Sequence, residues 1–156
     1  MNINLELASV EDAQALLNIQ KEAFKPLYEI YNDDISPYLH SIEDMEISIT
    51  YPQGAYYKII ADGFLCGASR IAWNKDGLHR VMISYIASEY FGKGIVTEAL
   101  GCIEKLHPKA TAWETDVPVD QPKNIRSIEK AGYISTGERE IINDKLVLAY
   151  YRKPIS

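Results

Sequence analysis

Gly92 and Gly94 stand where a run of strand type, Leu78 to Ile86, gives way to a run of helical period. The residues before them are rich in β-branched, aromatic and apolar types. After them Ile95, Ala99, Cys102, Ile103 and Leu106 recur at helical offsets, forming one apolar stripe that ends at His107-Pro108. The spacing predicts a helix that begins within the glycines. The first turn of a helix leaves backbone N–H groups without intrahelical partners, and the aligned peptide dipoles place partial positive charge there. Lacking Cβ atoms, the two glycines admit an anion to the backbone and permit left-handed angles, and Lys93 between them adds a charge. The chemistry expected is the grip of a phosphorylated ligand. The stretch is not a Walker loop, because no Gly-Lys-Ser/Thr follows a four-residue gap, nor a dinucleotide fingerprint, because a third glycine is missing. A tight strand-to-helix turn is the bland alternative.

The elements that must hold this loop can be read from the apolar period. Asn2 to Ala8 alternates as a half-buried strand, and Ser9 to Asp12 forms a capping box that opens a helix carrying Val10, Ala13, Leu16, Leu17, Gln20 and Phe24, expected to stop near Pro26. Ser36-Pro37 reads as the start of a second helix, with Tyr38, Ile42, Met45 and Ile49 on its buried face and Tyr51-Pro52 at its end. Strands follow at Ala55 to Ala61, Phe64 to Trp73 and Leu78 to Ala87, separated by the hairpin signals Asp62-Gly63 and Asn74 to Gly77. Beyond the central helix come a strand over Ala110 to Val117, a short helix over Asn124 to Ala131 ended by Gly132, and a hairpin of Tyr133 to Ile142 with Lys145 to Arg152.

The chain has 156 residues, which suits one domain, 1–156, with a single core, and no linker, repeat or low-complexity segment divides it. Cys66 and Cys102 lie in apolar runs and read as small hydrophobes, not as a disulfide or a metal site. His40, His79 and His107 have no spacing with cysteines or carboxylates that suggests a metal. A net charge of −6 argues against nucleic acid as the main ligand and tolerates a cationic one. No signal sequence and no membrane-spanning run is expected, so the chain reads as cytoplasmic.

The order is β-α-α-β-β-β-α-β-α-β-β. With that order, Tyr90-Phe91-Gly92-Lys93-Gly94-Ile95 and, further on, Asn124 with Glu129-Lys130-Ala131-Gly132-Tyr133, the chain resembles the GNAT superfamily of acyl-CoA-dependent N-acyltransferases over nearly its full length. The resemblance implies an α/β (α+β) fold with a mixed, mostly antiparallel seven-stranded sheet and four helices. It implies an acetyltransferase that moves acetyl from acetyl-CoA to a primary amine, by direct attack in a ternary complex and without a metal. The acceptor would be a small-molecule amine or a peptide, with no nucleic acid and no membrane as partner; a homodimer is left open. The alternative is a CoA-binding or assembly module with weakened turnover.

Carried over by position, the backbone from Phe91 through Gly92, Lys93, Gly94 and Ile95 to Val96 would bind the pyrophosphate, Ile86 or Ala87 would meet the pantetheine arm and thioester, and Asn124 would lie on the cofactor side. Against the family pattern Q/R-x-x-G-x-G/A, Phe91 takes the Q/R position and Val96 the final small one, and only Gly94 agrees. Ile128 stands where many members carry the tyrosine that acts as general acid, leaving Tyr133 and Tyr85 as replacements or as core residues. An amine with pKa ~10.4 is neutral in only about one part in a thousand at pH 7, a barrier of roughly 4 kcal/mol, so a proton acceptor is expected. Asp116, then Glu114, two apart on one face of the fifth strand, are the residues for it; an exposed charged face is the other reading. The first two helices border the acceptor groove in the family, where Tyr28, Tyr31, Asp33 and Asp34 would suit a cation or form an ordinary solvated loop.

Overall fold

The computed structural model describes residues 1–155. In chain order the elements are β1 (Ile3–Leu7), α1 (Ala13–Tyr31), α2 (Ile42–Thr50), β2 (Gly54–Ala61), β3 (Phe64–Trp73) and β4 (Leu78–Ile86). There follow α3 (Ile95–Leu106), β5 (Ala112–Pro118), α4 (Pro122–Lys130), β6 (Ile134–Ile141) and β7 (Val147–Pro154). The seven strands form one sheet in the order β1-β2-β3-β4-β5-β7-β6. β4 and β5 run parallel, and the other neighbours run antiparallel. This is the mixed, mostly antiparallel sheet with four α-helices that the sequence led us to expect.

Alternation along the strands sends side chains to two cores. Leu16, Leu17 and Met45 of α1 and α2 pack with Tyr56, Ala68 and Tyr85 on one face. Leu100 and Ile103 of α3 pack with Ile71, Val81 and Trp113 on the other, joined by Ile125 and Ile128 of α4. Gly67 is required where β3 meets the end of β4, because a Cβ there would lie 2.1 Å from the Tyr85 carbonyl oxygen. The close approach fixes the end of β4 against β3, just before the chain enters the glycine loop.

Three expectations are corrected. α1 does not stop near Pro26 but runs on to Tyr31. Pro26 lacks the N–H that would reach the Glu22 carbonyl, yet the last turns are anchored from outside. Tyr31 is buried and its hydroxyl donates to Asp120, Gln121 donates to that hydroxyl at 3.0 Å, and the Asn143 amide donates to the Tyr31 carbonyl at 2.9 Å. Tertiary contacts thus outweigh the local cost of the proline. Ser36-Pro37 opens only a 3-10 turn, Pro37–Leu39, and α2 begins five residues later at a capping box of its own, Ser41 with Asp44. On α3 the buried stripe includes Leu100, whereas Leu106 in the final turn is exposed.

Candidate active site

β4 and β5 pair only over Leu78↔Ala112, His79↔Trp113 and Arg80↔Glu114, although β4 continues to Ile86 and β5 to Pro118. Beyond Arg80 the ladder between the two strands ends, leaving a gap in the middle of the sheet. The direction of the amides beside the gap follows from register. The Ala87 N–H donates to the Cys66 carbonyl at 2.8 Å, and successive amides of a strand point to opposite edges. The Ile86 N–H therefore faces the gap, where β5 supplies no partner. Of the two residues expected to meet a thioester, Ala87 is excluded as a donor because β3 already occupies its amide, and Ile86 is retained.

Past Ile86 the chain makes a 3-10 turn, Ser88–Tyr90, and enters the glycine loop. Gly92 and Gly94 have φ of 77° and 74°, left-handed values that a side chain would strain, and Gly94 is the N-cap of α3. A Cβ at either position would meet nothing within 4 Å, so the glycines face open space. Among the described residues no acceptor is bonded to the N–H groups of Gly92, Lys93, Gly94, Ile95, Val96 or Thr97; the first bond into the helix runs from Glu98 to the Gly94 carbonyl at 3.1 Å. Phe91 differs from the expected set because its amide donates to Ser88 within the 3-10 turn at 3.1 Å. The donor row is thus Gly92 to Thr97. The Phe91 side chain is 56% exposed, and Val96 is turned onto the core, so neither blocks the row. Lys93 lies over the Tyr90 ring, its Nζ 5.8 Å from the centroid, which keeps a cation beside the loop. Asn124 is exposed in the first turn of α4.

Glu114 and Asp116 do share a face, the one covered by α1 and α2, and Asp116 sits two residues beyond the last β4–β5 pair, at the mouth of the gap. Both meet arginines that the sequence did not bring into the site. Arg80 pairs with Asp116 and lies 3.9 Å from Glu114, while Arg152 approaches Glu114 at 3.5 Å. The Arg80 guanidinium also lies over Tyr150, whose hydroxyl donates to Glu140 at 2.9 Å. Burial raises the Asp116 carboxyl above its ordinary range although Arg80 opposes the shift. These partners were invisible in the sequence because they come from β4, β6 and β7. Only the register that sets Arg80 opposite Glu114 reveals them.

Neither tyrosine considered as an acid stands free. Tyr85 is buried with its hydroxyl 2.7 Å from that of Tyr56, and Tyr133 is buried in the α3-side core; desolvation raises both phenols. Ile128 packs against the same core. The first loop, read from sequence as either a cation-binding pocket or an ordinary solvated loop, has most of its aromatic and acidic side chains engaged within the protein. Tyr28 stacks on Tyr38, Tyr31 is held by Asp120, and Asp33 is buried. His79 and His107 belong to an aromatic cluster with Trp73 and Trp113, and the Tyr57 hydroxyl lies 2.7 Å from His107 Nε2. Among the described residues no three His, Cys, Asp or Glu side chains converge as a metal site would require, and no helix is long and apolar enough to cross a membrane.

No protein-family model matches the sequence. An uncharacterised protein of Bacillus subtilis (strain 168), YrkN, is 29% identical over 132 residues, which span 83% of this chain and 71% of that protein. Among solved structures, the PaiA N-acetyltransferase of Thermoplasma acidophilum in complex with coenzyme A superposes with a TM-score of 0.77 at 20% identity, covering 99% of this chain and 100% of the other. An acetyltransferase of the GNAT family from Streptococcus pneumoniae superposes with a TM-score of 0.76 at 13% identity, with 99% and 100% covered. At such identities the likeness is one of fold, and it extends over the gap between β4 and β5 and the loop that follows.

Proposed function

From a chain that has the GNAT fold over its described length, we propose an N-acetyltransferase that takes acetyl-CoA as donor and a primary amine, on a small molecule or a peptide, as acceptor. The observation that carries this reading is the row of unpartnered N–H groups from Gly92 to Thr97 beside the β4–β5 gap. Six main-chain donors at a helix N-terminus, with two left-handed glycines opening onto solvent, fit a diphosphate. The gap fits an extended arm lying along β4. Acetyl-CoA would supply an acyl group activated as a thioester.

The chain's own residues would do the rest. The Ile86 N–H, aimed into the gap, would donate to the oxygen on which negative charge develops. Asp116 at the mouth of the gap, with Glu114 behind it, would draw the acceptor's ammonium and take its proton. Arg80 would hold the carboxylate in place. With isoleucine at position 128 and both nearby phenols buried, the leaving thiolate would take its proton from water. Direct transfer is favoured over an acyl-enzyme because Cys66 is buried, its thiol raised by desolvation and its Sγ donating to the Ile59 carbonyl at 3.3 Å.

The test is thermal stabilisation by CoA and acetyl-CoA, followed by free-thiol release with a panel of primary amines. A ligand at 100 times its Kd adds about 2.7 kcal/mol, a shift of several degrees. G94V should abolish that shift, since it both strains φ and fills the open side of the loop. An unchanged melting point at millimolar acetyl-CoA would end the proposal. Stabilisation without amine-dependent thiol release would instead favour a CoA-binding module, the reading to which Ile128 and the arginine-paired carboxylates lend support.

A further inference from the structure

Between α1, the turn before α2, and the strands β2, β3 and β4 lies a cavity of about 140 Å³ lined by Gln20, Pro37, His40, Ser48, Tyr56 and Arg70, among others. It is on the same face of the sheet as Asp116, and β4 contributes Met82 and Ile83 to its wall. Arg70 sits in β3 opposite Ile83, beside a register shift at which Met82 is the extra residue of β4. Such a bulge interrupts the ladder and re-aims the neighbouring side chains.

The charge in this cavity is uncompensated. Among the described residues no carboxylate forms an ion pair with Arg70 and no acceptor bonds its guanidinium; its Nε is a buried polar atom without a partner. The guanidinium lies over the Tyr51 ring, with Cζ 5.4 Å from the centroid. No Asp or Glu lines the cavity. Of the other polar groups there, Gln20 uses both amide hydrogens within the protein and thereby fixes the imidazole. Gln20 Nε2 lies 2.9 Å from both the Pro37 carbonyl and His40 Nδ1, so the amide donates to that ring nitrogen and the imidazole proton resides on Nε2. Ser48 adds a hydroxyl. A half-buried guanidinium whose Nε is enclosed without an acceptor carries a cost, and a planar fork of donors recognises carboxylate and phosphate best.

We propose that this cavity is the acceptor subsite for an anionic group, with Arg70 binding a carboxylate, phosphate or phosphonate carried by the same molecule as the amine. The inference rests on the acetyltransferase reading for the amine and adds an anionic group to an acceptor for which the sequence suggested only a cationic one or none at this loop. Partial burial lowers the affinity of both Arg70 and His40 for their protons, an effect that a bound anion would oppose. Ile83 is three residues before Ile86, about 10 Å along a strand at ~3.3 Å per residue. An acceptor of amino-acid to dipeptide size spans that distance.

The experiment uses the full chain saturated with acetyl-CoA and matched acceptors: ω-amino acids and aminoalkylphosphonates against diamines and amino amides of equal length. Binding is measured by calorimetry and transfer by thiol release. The anionic member of each pair should bind on the order of 10- to 100-fold more tightly, R70Q should remove that preference through KM with little change in kcat, and R70K should restore part of it. R70Q without ligand should melt no lower than the parent chain, since it removes a cation that has neither an ion-pair nor a hydrogen-bond partner. Equal binding of charged and uncharged acceptors, or a preference that survives R70Q, would overturn the inference and leave the acetyltransferase reading standing. Arg70-dependent anion binding without any transfer would sustain the subsite and sink the reaction.

Discussion

At the scale of single residues, Asp116 is subject to two opposing influences. Desolvation raises its carboxyl, and the Arg80 guanidinium beside it lowers it, the first outweighing the second. A carboxylate raised in this way holds a proton more readily than a solvated one, which suits proton removal from an ammonium drawn into the gap. D116N is therefore expected to lower kcat by about 10²-fold or more while leaving the KM for acetyl-CoA unchanged, with E114Q having a smaller effect. Steady-state kinetics with one good amine would check this, and an undiminished kcat in D116N would remove Asp116 from the role. The carboxylate pair itself was legible from its i, i+2 spacing on a strand. Arg80, Arg152 and Tyr150 were not, because a cross-strand partner has no signature in local sequence.

At the scale of elements, the glycine loop and α1 show how far local signals reach. Gly92 and Gly94 predict a left-handed entry to a helix, and both have it, since most residues with a Cβ are strained at those angles. Pro26 predicts the end of a helix and is wrong about it. The contacts of Tyr31 with Asp120, Gln121 and Asn143 hold the last turns against a local penalty. Because that penalty persists in the folded state, P26A should stabilise the protein, by about 2 kcal/mol once the greater freedom of the unfolded chain is deducted. Urea unfolding would read it as a rise in midpoint at constant slope. Loss of stability would show that the ring at position 26 makes a contact worth more than the helix bond it removes.

For the whole molecule, stability should depend on pH in two windows. Burial lowers the affinity of His40 and His107 for protons relative to the unfolded value of 6.5, and His79 adds to the effect at His107. Between the folded and unfolded values the unfolded chain binds more protons, so this contribution is complete above 6.5 and is lost as pH falls below it. Asp12 and Asp44 are held below 3.8 chiefly by the backbone N–H groups of Ser9 and Ser41, and their contribution disappears as pH falls through that lower range. Melting temperatures from pH ~7.5 to ~5 should decline, and H107Q should flatten the slope. A flat profile in the parent chain would contradict the partly buried placement of the two imidazoles. By itself the sequence determined the order of strands and helices, the glycine entry to α3 and the strand carrying the carboxylate pair, because period, caps and left-handed turns are properties of a few adjacent residues. Where α1 ends, which amide faces the gap, what Asp116 is paired with, and that Arg70 stands uncompensated in a cavity were decided only by tertiary structure. Each depends on strand register and on the packing of residues far apart in the chain, to which local propensity is blind.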